Sequence, residues 1–155
     1  MPRPVYSHGL VYIATGLQRP SLLAVRPDGT GDVTVTHIAW KLDRAVPVTS
    51  SPLVVGDELY MVSDIGVATC LDAKTGKILW QERLGGNFSA SPMFAGGQIY
   101  FLNEAGETTI IAPGQKFNRI RRNSLDGLTL ASMAVSDGSI FVRSNTALYR
   151  IGKDE

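Results

Sequence analysis

Short apolar runs alternate with tight polar turns along the whole chain, and the alternation itself repeats. The stretch Ser50-Ser51-Pro52-Leu53-Val54-Val55-Gly56-Asp57-Glu58-Leu59-Tyr60-Met61-Val62 is answered by Ala90-Ser91-Pro92-Met93-Phe94-Ala95-Gly96-Gly97-Gln98-Ile99-Tyr100-Phe101-Leu102. A third copy runs Ala131-Ser132-Met133-Ala134-Val135-Ser136-Asp137-Gly138-Ser139-Ile140-Phe141-Val142, and Pro4 to Tyr12 matches Pro52 to Tyr60 residue for residue. The period is about 40 residues, with a longer first interval that places extra residues between Val25 and Trp40. Within each unit an apolar run, a turn (Gly56-Asp57, Gly96-Gly97, Asp137-Gly138) and a second apolar run read as a hairpin. A third strand is predicted over Ala68 to Asp72, Thr108 to Ala112 and Leu148 to Ile151, and a fourth over Val33 to Leu42, Ile78 to Leu84 and Phe117 to Leu125. No window carries sustained helical periodicity.

Four strands in each unit of about 40 residues are the signature of a propeller blade. The fold class expected is therefore all-β, a β-propeller of four-stranded antiparallel blades, about four in number. The blades are placed at residues 1–47, 48–86, 87–127 and 128–155, with the last lacking its outer strand. Blades stack face to face, so both faces of each sheet should be apolar and buried. Trp40 and Trp80 recur at like positions of the fourth strand and are expected to pack against the adjoining blade; the third unit has Arg121 there. Propellers close with about 4–8 blades, so four units could only just close a ring. The expectation is a partial ring, either the C-terminal part of a longer protein or a homo-oligomer in which a second copy supplies the missing blades.

Composition narrows the function classes. Fifteen Lys+Arg against fourteen Asp+Glu leave a net charge of +1, so no basic excess calls for nucleic acid. No apolar run approaches the roughly 18 residues of a membrane-inserting helix. The start, Met1-Pro2-Arg3-Pro4, is not followed by the apolar core of a signal peptide. The single Cys70 permits no internal disulfide and reads as a buried thiol. His8, in a turn, and His37, in an outer strand, are expected to have no nearby Cys or acidic ligand pattern and fit neither a metal site nor a catalytic triad.

The run from Ser51-Pro52 through Gly56-Asp57, Ser63-Asp64-x-Gly66 and Leu71-Asp72-Ala73-Lys74-Thr75-Gly76-Lys77 to Trp80 resembles the pyrroloquinoline-quinone-like (PQQ-like) repeat. Ser91-Pro92 with Pro113-Gly114-Gln115-Lys116, and Ser132 with Tyr149-Arg150-Ile151-Gly152, are degraded copies. The resemblance implies propeller rings of seven or eight blades and export to the periplasm or cell surface. It also implies two different functions, because the family holds both quinoprotein alcohol dehydrogenases and a non-catalytic lipoprotein of outer-membrane assembly. The enzymes hold their quinone with a calcium ion, stack it on a tryptophan, often beside a bridge between adjacent cysteines, and use an Asp base. Here there are no adjacent cysteines, both tryptophans sit at the blade-packing position, and no Asp/Asn cluster has calcium-loop spacing. No cofactor and no metal are therefore expected from this chain.

The loops leading into each first strand share one propeller face with those joining strands two and three. That face gathers Arg19, Asp64, Asn87, Glu104, Glu107, Arg143 and Asn145, with Ser50 and Ser89 near the channel mouth. Functional surfaces often sit on such loops, and polar loops are also simply solvated. Asp64 and Glu104 occupy equivalent loops of neighbouring blades, where two carboxylates could share a proton or a metal; turn chemistry also accounts for Asp64. Lys116, Arg119, Arg121 and Arg122 mark an outermost strand, with alternation sending Arg119 and Arg121 to one face and Arg122 to the other. The function expected is a non-catalytic repeat module that binds other proteins. The competing expectation is a segment of a quinoprotein oxidoreductase whose active site lies mostly elsewhere.

Overall fold

The computed structural model describes residues 2–16 and 18–152, so the end of the fourth predicted blade lies outside the described residues. Fifteen strands and no helix are found among them, arranged in four antiparallel sheets. The first sheet comprises β1 (Val5–Ser7), β2 (Leu10–Thr15), β3 (Ser21–Val25) and β4 (Ile38–Leu42). The second holds β5 (Leu53–Val55), β6 (Glu58–Val62), β7 (Val67–Asp72) and β8 (Ile78–Arg83). The third holds β9 (Met93–Ala95), β10 (Gln98–Leu102), β11 (Glu107–Ile111) and β12 (Arg119–Ser124). The fourth has three strands among the described residues: β13 (Ala134–Ser136), β14 (Ser139–Arg143) and β15 (Leu148–Ile151). Each sheet is a meander in sequence order, with β1 lying beside β5 and β5 beside β9.

The hairpin turns follow from their residues. His8-Gly9, Gly96-Gly97 and Asp137-Gly138 all have positive φ at both positions, the mirror-image turn whose twist suits two antiparallel strands. Only Gly, Asn, Asp and a few others tolerate that conformation at little cost, which is why these spots punctuate the first, third and fourth units, while the second turns with positive φ at Gly56 alone.

Pleat alternation then builds two cores from one strand. Leu59 and Met61 of β6 pack toward the first sheet with Leu10, Tyr12, Leu22 and Ala24. Tyr60 and Val62, on the other face of β6, pack toward the third sheet with Cys70, Ile99, Phe101 and Ile111. Each such large side chain contributes about 1.5–3 kcal/mol when fully removed from water. The cluster between the third and fourth sheets is smaller, with Ala90, Leu102, Met133 and Val142. Burial on both faces therefore holds for the second sheet and fails further along, since all of β12 and all of β13 are exposed.

The tryptophans clasp consecutive sheets. Trp40 donates its indole N–H to the Ala73 carbonyl at 3.0 Å, and Trp80 donates to the Gly114 carbonyl at 3.0 Å. Both acceptors lie in the turn between third and fourth strands of the next sheet. A Cβ on Gly76 would fall 2.6 Å from the Trp40 ring, so the glycine of the Lys-Thr-Gly turn is what lets the indole lie flat on the backbone. Tyr12 and Tyr60 support the two rings at centroid distances of 5.8 and 6.0 Å, and Phe117 meets Trp80 edge-on at 5.2 Å.

Ser51 and Ser91 of the Ser-Pro pairs, and Ser132 at the same place before Met133, make a second link that their recurrence alone did not explain. The Arg3 N–H donates to Ser51 Oγ at 2.8 Å, the Ser51 N–H to Ser91 Oγ and the Ser91 N–H to Ser132 Oγ, both at 2.9 Å. One hydroxyl per unit thus fastens the inner edge of each sheet to the next.

Three expectations need correction. The fourth strand of the first unit begins at Ile38, not Val33, and His37 sits in the turn before it. Asp32 accepts the Thr34 N–H at 3.0 Å, and the Val33 carbonyl accepts the N–H groups of Thr36 and His37, which closes a turn over a run of strand-forming residues. The register of each outer strand also shifts, between Ala24 and Val25, Cys70 and Leu71, and Ile110 and Ile111. This bulge breaks the alternation, so Ile120 and Arg121 line the same cleft. Finally, both histidines have acidic neighbours: His8 Nε2 lies 3.1 Å from Asp57 and His37 Nε2 3.5 Å from Asp28.

Candidate functional site

The loops joining second and third strands, and the segments crossing from one sheet to the next, run together at one end of the fold. Their backbones interlock. The Phe88 N–H donates to the Asp64 carbonyl at 2.9 Å and the Glu104 N–H to the Asn87 carbonyl at 2.8 Å. The Thr129 N–H then donates to the Glu104 carbonyl at 2.9 Å, and the Asn145 N–H to the Leu128 carbonyl at 2.8 Å. These bonds make a continuous rim through Asp64, Asn87, Glu104 and Asn145.

The acidic and amide side chains of this rim hold the incoming segments in place, Asp64 and Asn145 by backbone N–H groups and Glu104 by a hydroxyl. Asp64 accepts the Val48 N–H at 2.7 Å on one oxygen and the Thr49 hydroxyl at 2.6 Å on the other. Glu104 accepts the Ser89 hydroxyl, and Asn145 Oδ1 accepts the Leu128 N–H at 2.9 Å. The same position in three successive loops thus ties down the segment leading into its own sheet. Asp64 and Glu104 are each spent on a different segment, and no cluster of three or more His, Cys, Asp or Glu able to hold a metal occurs among the described residues. Ser50 turns inward, its hydroxyl donating to the Val62 carbonyl at 2.9 Å. Glu107 is bound by Asn103 and by Arg122 at the head of β11, and both contacts hold its carboxyl below the usual range.

What remains available on the face is cationic, amide and apolar. Arg19 lines a depression of about 490 Å³ with Pro20, Lys41 and Asp43. Arg143 lines another of about 320 Å³ with Leu128, Leu130 and Ala131, the two leucines being 60% and 64% exposed. Asn87 is exposed between them in chain order. Sequence reading singled out Arg143 but did not pick out Leu128 and Leu130, which lie in the crossing segment between the predicted strands.

Cys70 lies outside this face, wholly buried against the third sheet, and burial pushes its thiol up to about 12. A thiolate is therefore inaccessible near neutral pH.

The Leu71-to-Gly76 turn shows why its residues recur. Asp72 Oδ1 accepts the Thr75 N–H and hydroxyl, both at 2.8 Å, and the Lys74 N–H at 3.1 Å. Those hydrogen bonds, Thr75 first, hold the Asp72 carboxyl below the usual carboxylate range. Asp57 is lowered too, first by the Lys74 ammonium at 2.8 Å and also by His8. A carboxyl whose folded-state value is depressed contributes stability above its unfolded value and loses it as pH falls through the folded one. The urea midpoint should therefore hold steady from pH 7 to about 5 and fall below about pH 4. The Asp72→Asn variant should show a shallower acid fall than the parent.

Residues 37–118 match the family described as outer membrane protein assembly factor BamB. An assembly factor BamB from Marinobacter adhaerens is 36% identical over 67 residues, which are 43% of this chain and 17% of the relative. The chain thus matches only about a sixth of the length of that curated relative. Among solved structures, BamB from Moraxella catarrhalis superposes with a TM-score of 0.70 at 16% identity, covering 95% of this chain and 41% of the other. A quinohemoprotein alcohol dehydrogenase from Pseudomonas putida HK5 also reaches 0.70, at 15% identity, covering 90% of this chain and 27% of the enzyme. Those two likenesses show the propeller fold that both share. The clasping tryptophans, the Ser-Pro ladder and the matched residues together place this chain in the BamB family of PQQ-like β-propellers.

Proposed function

We propose that this chain is a non-catalytic propeller module that binds other proteins through its loop face, in the manner of an outer-membrane-protein assembly factor. The observation that carries this reading is the division of labour on that face. Asp64, Glu104 and Asn145 fasten the segments leading into their own sheets, while Arg19 lines one depression, Arg143, Leu128 and Leu130 line another, and Asn87 is exposed on the same face. Apolar residues ringed by cations and amides suit an acidic, partly apolar protein surface. The names of the family and of the Marinobacter relative support a role in outer-membrane assembly, and with it a place in the periplasm or at the cell surface.

The first and fourth sheets carry exposed apolar side chains, among them Tyr6 at 67% and Val135 at 48%. In this reading they are covered by further blades or by a second copy of the chain. Sedimentation of the purified chain should then show dimers or larger species, and a single monomeric boundary at all concentrations would contradict that part.

A photo-crosslinking amino acid at Leu130, expressed in a Gram-negative host, tests the partner. A discrete adduct containing a component of the outer-membrane assembly machinery is expected, and it should be missing when the label sits at Arg122 on the outer strand. No adduct from Leu130, or equal adducts from both sites, would overturn the reading. So would saturable, calcium-dependent dye reduction with an alcohol after addition of PQQ.

A further inference from the structure

The three sheet-to-sheet interfaces are built on one plan, and among the described residues the third leaves it unfilled. Tyr12, Tyr60 and Tyr100 occupy the same place on their second strands, and the first two lie against Trp40 and Trp80. Tyr100 faces a position where the fourth strand carries Arg121, and among the described residues no ring packs on it. Its hydroxyl reaches back to Gln98 on its own strand at 3.3 Å. The space left is a cleft of about 510 Å³ walled by Tyr100, Ile110, Leu125, Met133, Ile140 and Val142.

We infer that this cleft binds a planar aromatic carboxylate, with the ring lying where the indole lies in the sister interfaces. Its size falls within the 300–1,000 Å³ typical of small-molecule sites, and its walls are apolar with few polar groups. Tyr100 supplies the ring partner that Tyr12 and Tyr60 supply to the tryptophans. Among the described residues Arg121 is the one charged side chain lining the cleft, brought in beside Ile120 by the bulge in β12. Among the described residues it joins no ion pair, whereas its neighbour Arg122 is bound to Glu107 at 2.6 Å. A guanidinium at the mouth of an apolar cleft selects a ligand that is flat at one end and anionic at the other.

The methionine methyl groups give a local readout. Met133 lines the cleft, and Met61 lies in the core between the first and second sheets, out of the ligand's reach. The full chain, carbon-13 labelled at its methionine methyls, is titrated with indole-3-acetate and separately with indole. The Met133 signal should move saturably while that of Met61 stays fixed. Indole-3-acetate should bind at least about tenfold more tightly than indole, the difference that one charge-assisted contact supplies. Arg121→Ala should erase that preference while keeping weak binding of both compounds. Arg121→Trp, which builds the missing indole, should abolish the shift and raise the melting temperature. An unmoved Met133 at millimolar ligand, equal movement of Met133 and Met61, or an undiminished preference in Arg121→Ala would each overturn the assignment.

Discussion

Trp80→Ala should lower the stability of the chain by about 3–5 kcal/mol, the range for removing a large aromatic from a packed interface. Three losses combine. The ring leaves Tyr60 and Phe117 without their partner, the Gly114 carbonyl loses its indole donor, and a void opens between the second and third sheets. In urea, where small domains respond by about 1–3 kcal/mol per molar, the midpoint should fall by at least about 1 M. Trp80→Phe should recover part of the loss, since it restores ring area without the donor. Ile65→Ala, at a side chain 63% exposed, should change stability by less than about 0.5 kcal/mol. A loss below about 1 kcal/mol for Trp80→Ala would mean that the second and third sheets do not depend on this clasp.

The second large effect concerns backbone. Gly66 has φ +82°, its N–H donates to the Ser63 carbonyl, and its own carbonyl accepts the Leu84 N–H. A Cβ there would lie 2.6 Å from the Gly86 carbonyl oxygen, so alanine meets both a left-handed backbone and a fixed neighbour. Gly66→Ala should cost about 3 kcal/mol or more, from strain and overpacking together. Gly56→Ala is the matched control: its φ is +61°, but the added methyl would meet only Glu58, at 3.5 Å. It should cost about 1 kcal/mol, the conformational part alone. Equal losses in the two variants would show that close approach of the 63–66 loop to the 85–86 segment is not what requires glycine. Because that loop presents Asp64 to Val48 and Thr49, Gly66→Ala should also loosen the rim, seen as faster amide exchange at Val48.

Why some of this was legible and some was not is a matter of range. Turns such as Gly96-Gly97 and Asp137-Gly138 declare themselves because their backbone conformation restricts the residue type locally. Burial of both faces of β6 could be read from its continuous apolar run, but that same continuity hid which core takes Leu59 and Met61 and which takes Tyr60 and Val62. The start of β4 was misread because Val33-Thr34-Val35-Thr36 has strand propensity, and only the Asp32 side chain turns the backbone aside. The bulge in the outer strands leaves no mark in composition, so the shared direction of Ile120 and Arg121 was out of reach. Loop carboxylates were placed on the correct end of each sheet by topology, yet their partners at Val48, Thr49 and Ser89 lie about 15 residues away along the chain. Which polar group meets which is decided by packing across that distance.

The two clasps make the arrangement directly measurable. In a proton NOE spectrum of the assigned chain, the Trp40 indole N–H should show cross-peaks to Ala73 and Lys74, and the Trp80 indole N–H to Gly114 and Gln115. Those peaks place each sheet flat against its successor, as successive leaflets around a common axis require. Indole protons that see only residues of their own sheet would contradict the propeller arrangement and everything inferred from its rim.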